Sequence, residues 1–221
     1  MQNIKFDNRT TQILKNFSTI NPSLLFKQGS AISTISPSKT ILAKAKITQS
    51  MDSQFAIYDL SRFLSVLSLF NDPELRIEDK FITIASGDKK LNYTFADAST
   101  IITPPDKEIT IANPQVEFKL TTETFNDVTK ASSVLRLPEI AIVGEDGDIS
   151  VQAIDSKNPS GDIYSIKVGA TEKKFKMIFK AENLKILSGD YEVALTKGIS
   201  HFKGADVEYF IAIEANSTYE A

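Results

Sequence analysis

The chain of 221 residues has no cysteine, no tryptophan and a single histidine, His201. Without cysteine it can form neither a disulfide framework nor a thiolate metal site, and it has no cysteine nucleophile. One histidine cannot form a metal-binding pair, so His201 is expected to be an ordinary surface or packed loop residue. The sequence also has no Gly-x-Ser-x-Gly elbow, no glycine-rich phosphate loop and no His-Glu-x-x-His motif. We therefore expect no catalytic residue, no metal and no cofactor, and the chain is not predicted to be an enzyme.

Long apolar segments are missing as well. Residues 1–10 are polar and mixed in charge, unlike the apolar core of a signal peptide. No stretch approaches the roughly 18–20 apolar residues that span a bilayer. Hydrophobic residues make up 42% of the chain and charged residues 24%, a composition that supports a packed core. These features predict a soluble, intracellular protein that makes no contact with a membrane.

One acidic cluster could be mistaken for a metal site. Glu145, Asp146 and Asp148 surround Gly147, and their carboxylates could bind a divalent cation. The spacing lacks the ligands of a calcium loop, whereas Asp-Gly between two alternating apolar stretches is typical of a β-hairpin. The hairpin turn is the favoured interpretation.

The two halves of the chain share a pattern of segments at nearly constant spacing. Three pairs of segments match in the same order, with offsets of 114, 120 and 118 residues: 5–6 with 119–120, 55–57 with 175–177, and 95–100 with 213–218. Matches that keep their order and nearly keep their offset indicate an internal duplication with small loop insertions.

Each copy is predicted to be an α+β unit that combines two helices with many antiparallel strands. Apolar residues at helical spacing predict helices over 9–20, 61–70, 122–136 and 180–188, and alternating stretches predict the strands. Prolines in the segment between the copies favour an extended connector. The predicted organisation is an N-terminal domain over 1–103, a connector over 104–115 and a C-terminal domain over 116–221.

The charge of the chain is unevenly distributed. The formal net charge of −3 argues at first against binding to nucleic acid. However, residues 8–51 contain six basic residues and no acidic one. The four predicted helices carry seven basic and three acidic residues, a sum of +4, which leaves −7 for the rest of the chain.

This segregation has two interpretations. Lysine and arginine often decorate solvated helix faces, but such faces usually mix both signs in i,i+4 pairs. In 9–20 and 61–70 no acidic residue is available for pairing. A positive face of this kind attracts phosphates without reading bases, which is how proteins bind DNA independently of sequence. The candidate DNA-facing residues are Arg9, Lys15, Lys39, Lys44, Lys46, Arg62, Lys130, Arg136, Lys180 and Lys185.

Several of these segments resemble the sliding clamps of T4-type bacteriophages. The similarity lies in Leu-Lys-Asn-Phe at 14–17 with Ile-Asn at 20–21, and in Ala-Ile-Tyr-Asp-Leu at 56–60. It continues through 63–72 and through Ala-Ile-Glu-Ala at 212–215 with Ser-Thr at 217–218. The similar motifs are structural rather than catalytic, and they follow one another along the whole chain.

The resemblance implies a fold and a function. The fold would be two tandem copies of the DNA-clamp (processivity fold) domain. Three subunits would close head to tail into a ring, with helices lining the hole and antiparallel sheets outside. Such a homotrimer encircles duplex DNA and tethers the phage DNA polymerase for processive synthesis. The resemblance also implies a clamp loader that opens the ring, a late-transcription sigma-like factor as a further partner, and a location in the cytoplasm of the infected bacterium.

Partner binding and an alternative function remain open at the level of the sequence. By the same resemblance, partner tails insert apolar side chains beside the connector, near Ile101, Ile102, Ile109 and Ile111. For each of these isoleucines, ordinary strand packing is the favoured interpretation. The alternative function is a duplicated α+β phage structural or assembly protein that makes no contact with DNA.

Overall fold

The computed structural model describes residues 1–220 and divides the chain into two compact units, from Met1 to Lys107 and from Glu108 onward. The division lies within the predicted connector over 104–115. No helix within the described residues is long and apolar enough to cross a membrane.

The first unit contains two helices and eight strands. In chain order these are β1 (Gln2–Ile4), α1 (Asn8–Ile20), β2 (Leu24–Phe26), β3 (Gly29–Ile35), β4 (Ile41–Met51), β5 (Phe55–Ile57), α2 (Leu60–Leu67), β6 (Glu74–Ile77), β7 (Phe81–Ser86) and β8 (Lys89–Thr94). The strands pair antiparallel in the orders β5-β2-β3-β4 and β1-β6-β7-β8. A 3-10 turn over Ala98–Thr100 follows the last strand.

Over residues 108–220 the second unit contains one α-helix and nine strands. These are β9 (Val116–Leu120), α3 (Thr122–Leu135), β10 (Glu139–Glu145), β11 (Asp148–Ile154), β12 (Tyr164–Ala170), β13 (Lys174–Lys180), β14 (Tyr191–Leu195), β15 (Ile199–Lys203), β16 (Val207–Ala212) and β17 (Thr218–Glu220). Their antiparallel orders are β12-β11-β10-β13-β17 and β16-β15-β14-β9.

The two units repeat one topology. If β1 and α1 are matched with β9 and α3, the order β5-β2-β3-β4 becomes β13-β10-β11-β12, and β1-β6-β7-β8 becomes β9-β14-β15-β16. The second unit has both orders and adds only β17. The duplication predicted from the sequence offsets is therefore confirmed, as is the α+β class.

Local sequence explains where the helices begin and end. Asp7 accepts a hydrogen bond from the Thr10 amide at 2.6 Å, so its side chain caps α1, and the helix ends at Asn21, which precedes a proline. Ile13 and Phe17 are fully buried on the inner face of α1, which packs on β3, β4 and α2. In the second unit the Thr121 hydroxyl caps α3, which packs on β10, β11 and β12.

The fourth predicted helix, over 180–188, is wrong. Lys180 ends strand β13, and only a 3-10 turn, Ala181–Asn183, follows it. Beyond the turn, Leu184 and Ile186 are buried at alternate positions, which is the period of an extended chain. The amide of Leu187 donates to the Tyr209 hydroxyl at 3.1 Å, and its carbonyl accepts from the Tyr191 hydroxyl at 2.6 Å. These backbone groups are bonded by tyrosines and are not available to a helix.

The segment between the units has no regular secondary structure. Neither a helix nor a strand occurs between Thr100 and Val116 in the part of the chain that the structure describes. Strand packing is therefore the wrong explanation for Ile101, Ile102, Ile109 and Ile111.

Candidate nucleic-acid interface

The solvent-facing side of α1 carries one centrally placed cation. Lys15 lies opposite the buried face that contains Ile13 and Phe17, and it is exposed. The remaining residues on that side are uncharged: Asn8, Thr11, Gln12 and Thr19. Arg9 lies on the flank of the helix, where its guanidinium contacts the Gln12 amide oxygen at 3.4 Å. No acid in α1 offsets either cation.

Helix α2 presents a second cation in the same unit. Arg62 is exposed and follows the N-cap residue Asp59, whose carboxylate accepts from the Arg62 amide at 2.8 Å. The hydroxyl of Ser65 donates to the Ser61 carbonyl, and that of Ser68 donates to the Ser65 carbonyl. These serine hydroxyls are bonded to their own helix. The guanidinium of Arg62 is therefore the main group of α2 that is available to bind a phosphate.

Strand β8 holds the start of α2 in place through Tyr93. The Tyr93 ring packs edge-on against Phe63, with 5.1 Å between the ring centroids, and its hydroxyl donates to the Asp59 carbonyl at 3.1 Å. Burial, together with the nearby Asp59 carboxylate, raises the pKa of Tyr93 above its usual value. The hydroxyl therefore remains a neutral donor that fixes the start of the helix.

Helix α3 of the second unit is different. Its outward face carries Glu123, Asp127 and Lys130, and Arg136 lies at the C-terminal end in a left-handed conformation with φ of 56°. The amide of Leu137 donates to the Ser132 carbonyl at 2.8 Å, which completes the turn that usually ends a helix at such a residue. The helix itself has a net charge of −1.

Lys180 and Lys185 do not lie on a helix, contrary to the prediction. Lys180 lines a cleft in the second unit together with four acidic residues and one further lysine: Glu139, Asp155, Glu182, Glu214 and Lys157. The cleft is therefore net negative. Within this cleft the Glu139 carboxylate is held in place by hydrogen bonds that it accepts from the amide and the hydroxyl of Ser156, at 2.8 and 2.9 Å.

The lysines of β4 and of the turn before it also lie apart from the helix faces. Gln49 of β4 accepts from the Thr10 hydroxyl of α1 at 2.7 Å, so the odd-numbered residues of this strand face the helix. Lys44 and Lys46 consequently lie on the opposite face of the sheet, and Lys39 lies in the β3–β4 turn with φ of 58°. The alternation in Ala-Lys-Ala-Lys-Ile at 43–47 was the sequence signal for this arrangement.

Within the first unit the predicted DNA-facing cations therefore do not all lie on one face, and within the second unit Lys180 and Lys185 lie outside any α-helix. The three α-helices sum to +2 rather than +4, with +3 on α1 and α2 and −1 on α3. Within residues 1–220, Lys15, Arg62 and Lys130 form no ion pair. The helix face of the first unit is the structural feature that best fits binding to phosphates.

Two long edge strands were not anticipated from the sequence. β8 ends one sheet of the first unit and β12 ends one sheet of the second, and they have six and seven residues. Four large apolar side chains are exposed on or beside α3 and β12: Val134, Leu135, Ile163 and Tyr164. Tyr58 and Leu69 are exposed beside α2. Exposed edges and apolar patches of this kind mark sites of association.

The predicted partner region is held by specific contacts. In the first unit the Asn21 side chain donates to the carbonyls of Ile35 and Ile102, at 2.8 and 3.0 Å, and Lys27 pairs with Asp106 at 2.8 Å. The Lys27 ammonium lowers the pKa of Asp106. Ile102 is 48% exposed.

The remaining sequence motifs have structural roles. Asp146 and Gly147 have positive φ angles of 54° and 87° and form the turn between β10 and β11, so the hairpin interpretation is confirmed. No group of three possible metal ligands occurs within the described residues. His201 lies in β15 rather than in a loop, where its ring stacks on Phe210 at 4.3 Å and bonds to Glu208 at 2.8 Å.

Comparison with known structures shows the class of fold. The chain superimposes on the PCNA of A. fulgidus, solved with the C-terminal region of FEN-1, with a TM-score of 0.74 at 13% identity. The match covers 99% of this chain and 100% of the other. At this identity the likeness concerns the fold alone, which is that of the DNA clamps.

The sequence comparisons are more specific. Residues 5–103 match the model of the DNA polymerase processivity factor, and residues 117–215 match that of the gp45 sliding clamp, C terminal. The sliding clamp of Vibrio phage KVP40 is 36% identical over 220 residues, covering 96% of this chain and 100% of the relative. That of Enterobacteria phage T4 is 32% identical over 228 residues, covering 98% and 100%. The chain belongs to the sliding clamp family of T4-type phages, the DNA polymerase processivity factors.

Proposed function

We propose that this protein is a non-enzymatic processivity factor that encircles duplex DNA as a head-to-tail homotrimer. The observation that carries the proposal is the acid-free helix face of the first unit, on which Lys15 and Arg62 are exposed. A ring that slides along DNA must attract the phosphates without forming specific contacts to the bases. Two unpaired cations on rigid helices provide such a field.

The edge strands support the head-to-tail assembly. In the proposed trimer, β8 of one copy pairs antiparallel with β12 of the next, so that two different surfaces of the same chain meet. An interface between different surfaces generates a closed ring when the rotation fits. Half-buried Leu91 and Tyr93 of β8 would lie beside half-buried Ile166 and Val168 of β12, extending one apolar layer across the seam. The three-fold ring would thereby cover both edges.

The charges at the ends of these strands fit the same pairing. Lys89 and Lys90 begin β8 and are exposed, while Glu172 lies just beyond the end of β12 and is also exposed. Antiparallel pairing brings these ends together, so opposite charges would meet at the seam. Such complementarity favours the correct partner over a wrong one.

The proposed partners are those of a phage replication clamp. The tail of the phage DNA polymerase would insert apolar side chains beside the connector over 104–115, near the exposed Ile102. The A. fulgidus PCNA was solved with the C-terminal region of FEN-1 bound to it, which is a precedent for the binding of a partner's terminal segment by this fold. A clamp loader would open the ring, and a late-transcription sigma-like factor would use the same surface. All of these partners act in the cytoplasm of the infected host.

Two measurements test the proposal. Sedimentation should give a mass near three times 24.4 kDa. Loaded on nicked circular DNA with a loader and ATP, the protein should be retained, and linearising the circle should release it. A stable monomer would contradict the ring, and retention that is unaffected by linearisation would contradict encirclement.

A further inference from the structure

The two units differ in their ability to attract DNA, although they share one topology. Lys15 is the only charge at the centre of its helix face, and the nearest charge along α1 is Arg9, of the same sign. No residue within α1 is acidic, and the nearest carboxylate is that of the N-cap residue Asp7, so Lys15 is not offset by an acid on its own helix face. Arg62 adds a further cation on α2, which packs against α1.

In the second unit the corresponding charges cancel. Lys130 shares the outward face of α3 with Asp127, three positions away, and with Glu123, seven positions away. At a rise of about 1.5 Å per residue these groups lie within about 5–11 Å along the axis. That spacing is comparable to the Debye length of about 8–10 Å at physiological salt, so an approaching phosphate experiences their sum. The sum over α3 is −1, and Arg136, which directly follows the helix, brings it to zero.

Among the described residues of the second unit, no α-helix corresponds to α2. The chain there forms a 3-10 turn, Ala181–Asn183, and an extended segment. Lys180, just before the turn, lies in the cleft whose charged residues include four acids and two lysines. No cation-bearing helix face comparable to that of α2 occurs in the described part of this unit.

We infer that the phosphate contacts of the clamp come from the first unit of each subunit, through Lys15 and Arg62. In this arrangement α3 of the second unit does not attract the DNA phosphates. This inference rests on the proposed function. The proposed trimer then offers three attractive surfaces to the duplex instead of six. Fewer contacts must break for each sliding step, which suits a ring held in place by its closure.

The test compares three double variants with the same change of charge. Lys15→Glu with Arg62→Glu reverses the face of the first unit, and Lys130→Glu with Arg136→Glu reverses cations of the second. Lys44→Glu with Lys46→Glu, on the opposite face of the β3–β4 sheet, is the matched control. Each variant is checked for trimer mass and then loaded on nicked circular DNA over a range of salt concentrations.

We expect the first variant to load about tenfold less at physiological salt and to depend less steeply on salt. The other two should remain within about twofold of the wild type. A loss in the Lys130/Arg136 variant equal to that of the first would overturn the inference, and so would an unchanged Lys15/Arg62 variant. If the reversal prevents trimer formation, Lys15→Gln with Arg62→Gln replaces it, with the same two criteria.

A variant with added positive charge on α3 tests directly whether this helix attracts DNA. Glu123→Lys with Asp127→Lys gives α3 an acid-free face like that of α1, and single-molecule diffusion along stretched DNA should become several-fold slower. Unchanged diffusion would contradict the assignment of α3. Failure of the proposed function is recognised separately, because the wild type itself would then not be retained on circular DNA.

Discussion

Gly144 is the glycine of the second unit whose neighbours leave the least room for a side chain. It lies on β10 directly opposite Phe175 of β13, and it is buried. A methyl group on its Cα would lie 2.3 Å from Cε1 of Phe175 and 2.7 Å from the Lys173 carbonyl oxygen. Real carbon atoms do not approach so closely, so the ring and the neighbouring strand would have to move.

Gly144→Ala is therefore expected to lower the free energy of unfolding by about 1–3 kcal/mol, the usual effect of overpacking. Gly169→Ala is the control, because the nearest atom to its new methyl group would be Cδ1 of Ile149 at 3.7 Å. Urea unfolding at one fixed protein concentration measures both. Equal losses in the two variants would contradict the steric explanation.

At the scale of elements, the start of α1 depends on a carboxylate. The Thr10 amide donates to Asp7 and holds the pKa of that carboxyl below its usual value. The folded protein thus binds fewer protons than the unfolded chain near this pH. The stabilisation is complete above the unfolded pKa and is lost as the pH falls through the lower folded value.

Asp7→Ala should cost about 1 kcal/mol at neutral pH because it removes the cap. Asp7→Asn keeps a capping oxygen without a titrating group, so its stability should change less between about pH 5 and pH 2.5 than that of the wild type. Denaturant unfolding across this range gives the comparison. Parallel pH profiles for the wild type and Asp7→Asn would show that the cap does not titrate in this way.

The extended segment that replaces a helix in the second unit depends on two hydroxyls. Tyr191 and Tyr209 bond the carbonyl and the amide of Leu187. Tyr191→Phe and Tyr209→Phe should each cost about 1 kcal/mol and should increase hydrogen exchange over residues 184–190. Tyr219→Phe, whose ring packs on Phe175, is the control. Unchanged exchange in this segment would refute the role of the hydroxyls.

This segment also shows which features of the fold can be predicted from the sequence and which cannot. Helices α1 and α3 are predicted correctly because their apolar residues recur at helical spacing, which is a local signal. The helix predicted over 180–188 is wrong because the conformation of this segment is set by tyrosines on β14 and β16. Only the folded chain brings those tyrosines near Leu187. Charge summed along the sequence likewise placed Lys44 and Lys46 beside Lys15, whereas the pleat of β4 turns them to the other face of the sheet.

At the scale of the whole molecule, assembly depends on surfaces that a single chain leaves exposed. Ile163 immediately precedes β12 and is 60% exposed, so it contributes little to the folding of its own unit. In the proposed trimer it lies at the seam with β8 of the next copy. The exposed Ile102, which lies just before the predicted connector, is outside that proposed seam and serves as a matched comparison.

Ile163→Asp should therefore weaken the trimer, because closing the ring would bury a carboxylate without a partner. We expect dissociation in sedimentation at protein concentrations at least about tenfold higher than for the wild type, a change that corresponds to about 1.4 kcal/mol. Ile102→Asp should sediment like the wild type, and both variants should retain the circular dichroism of the folded units. If Ile163→Asp stays trimeric at the same dilution as Ile102→Asp, then β12 is not the seam, and a different pair of edges must close the ring.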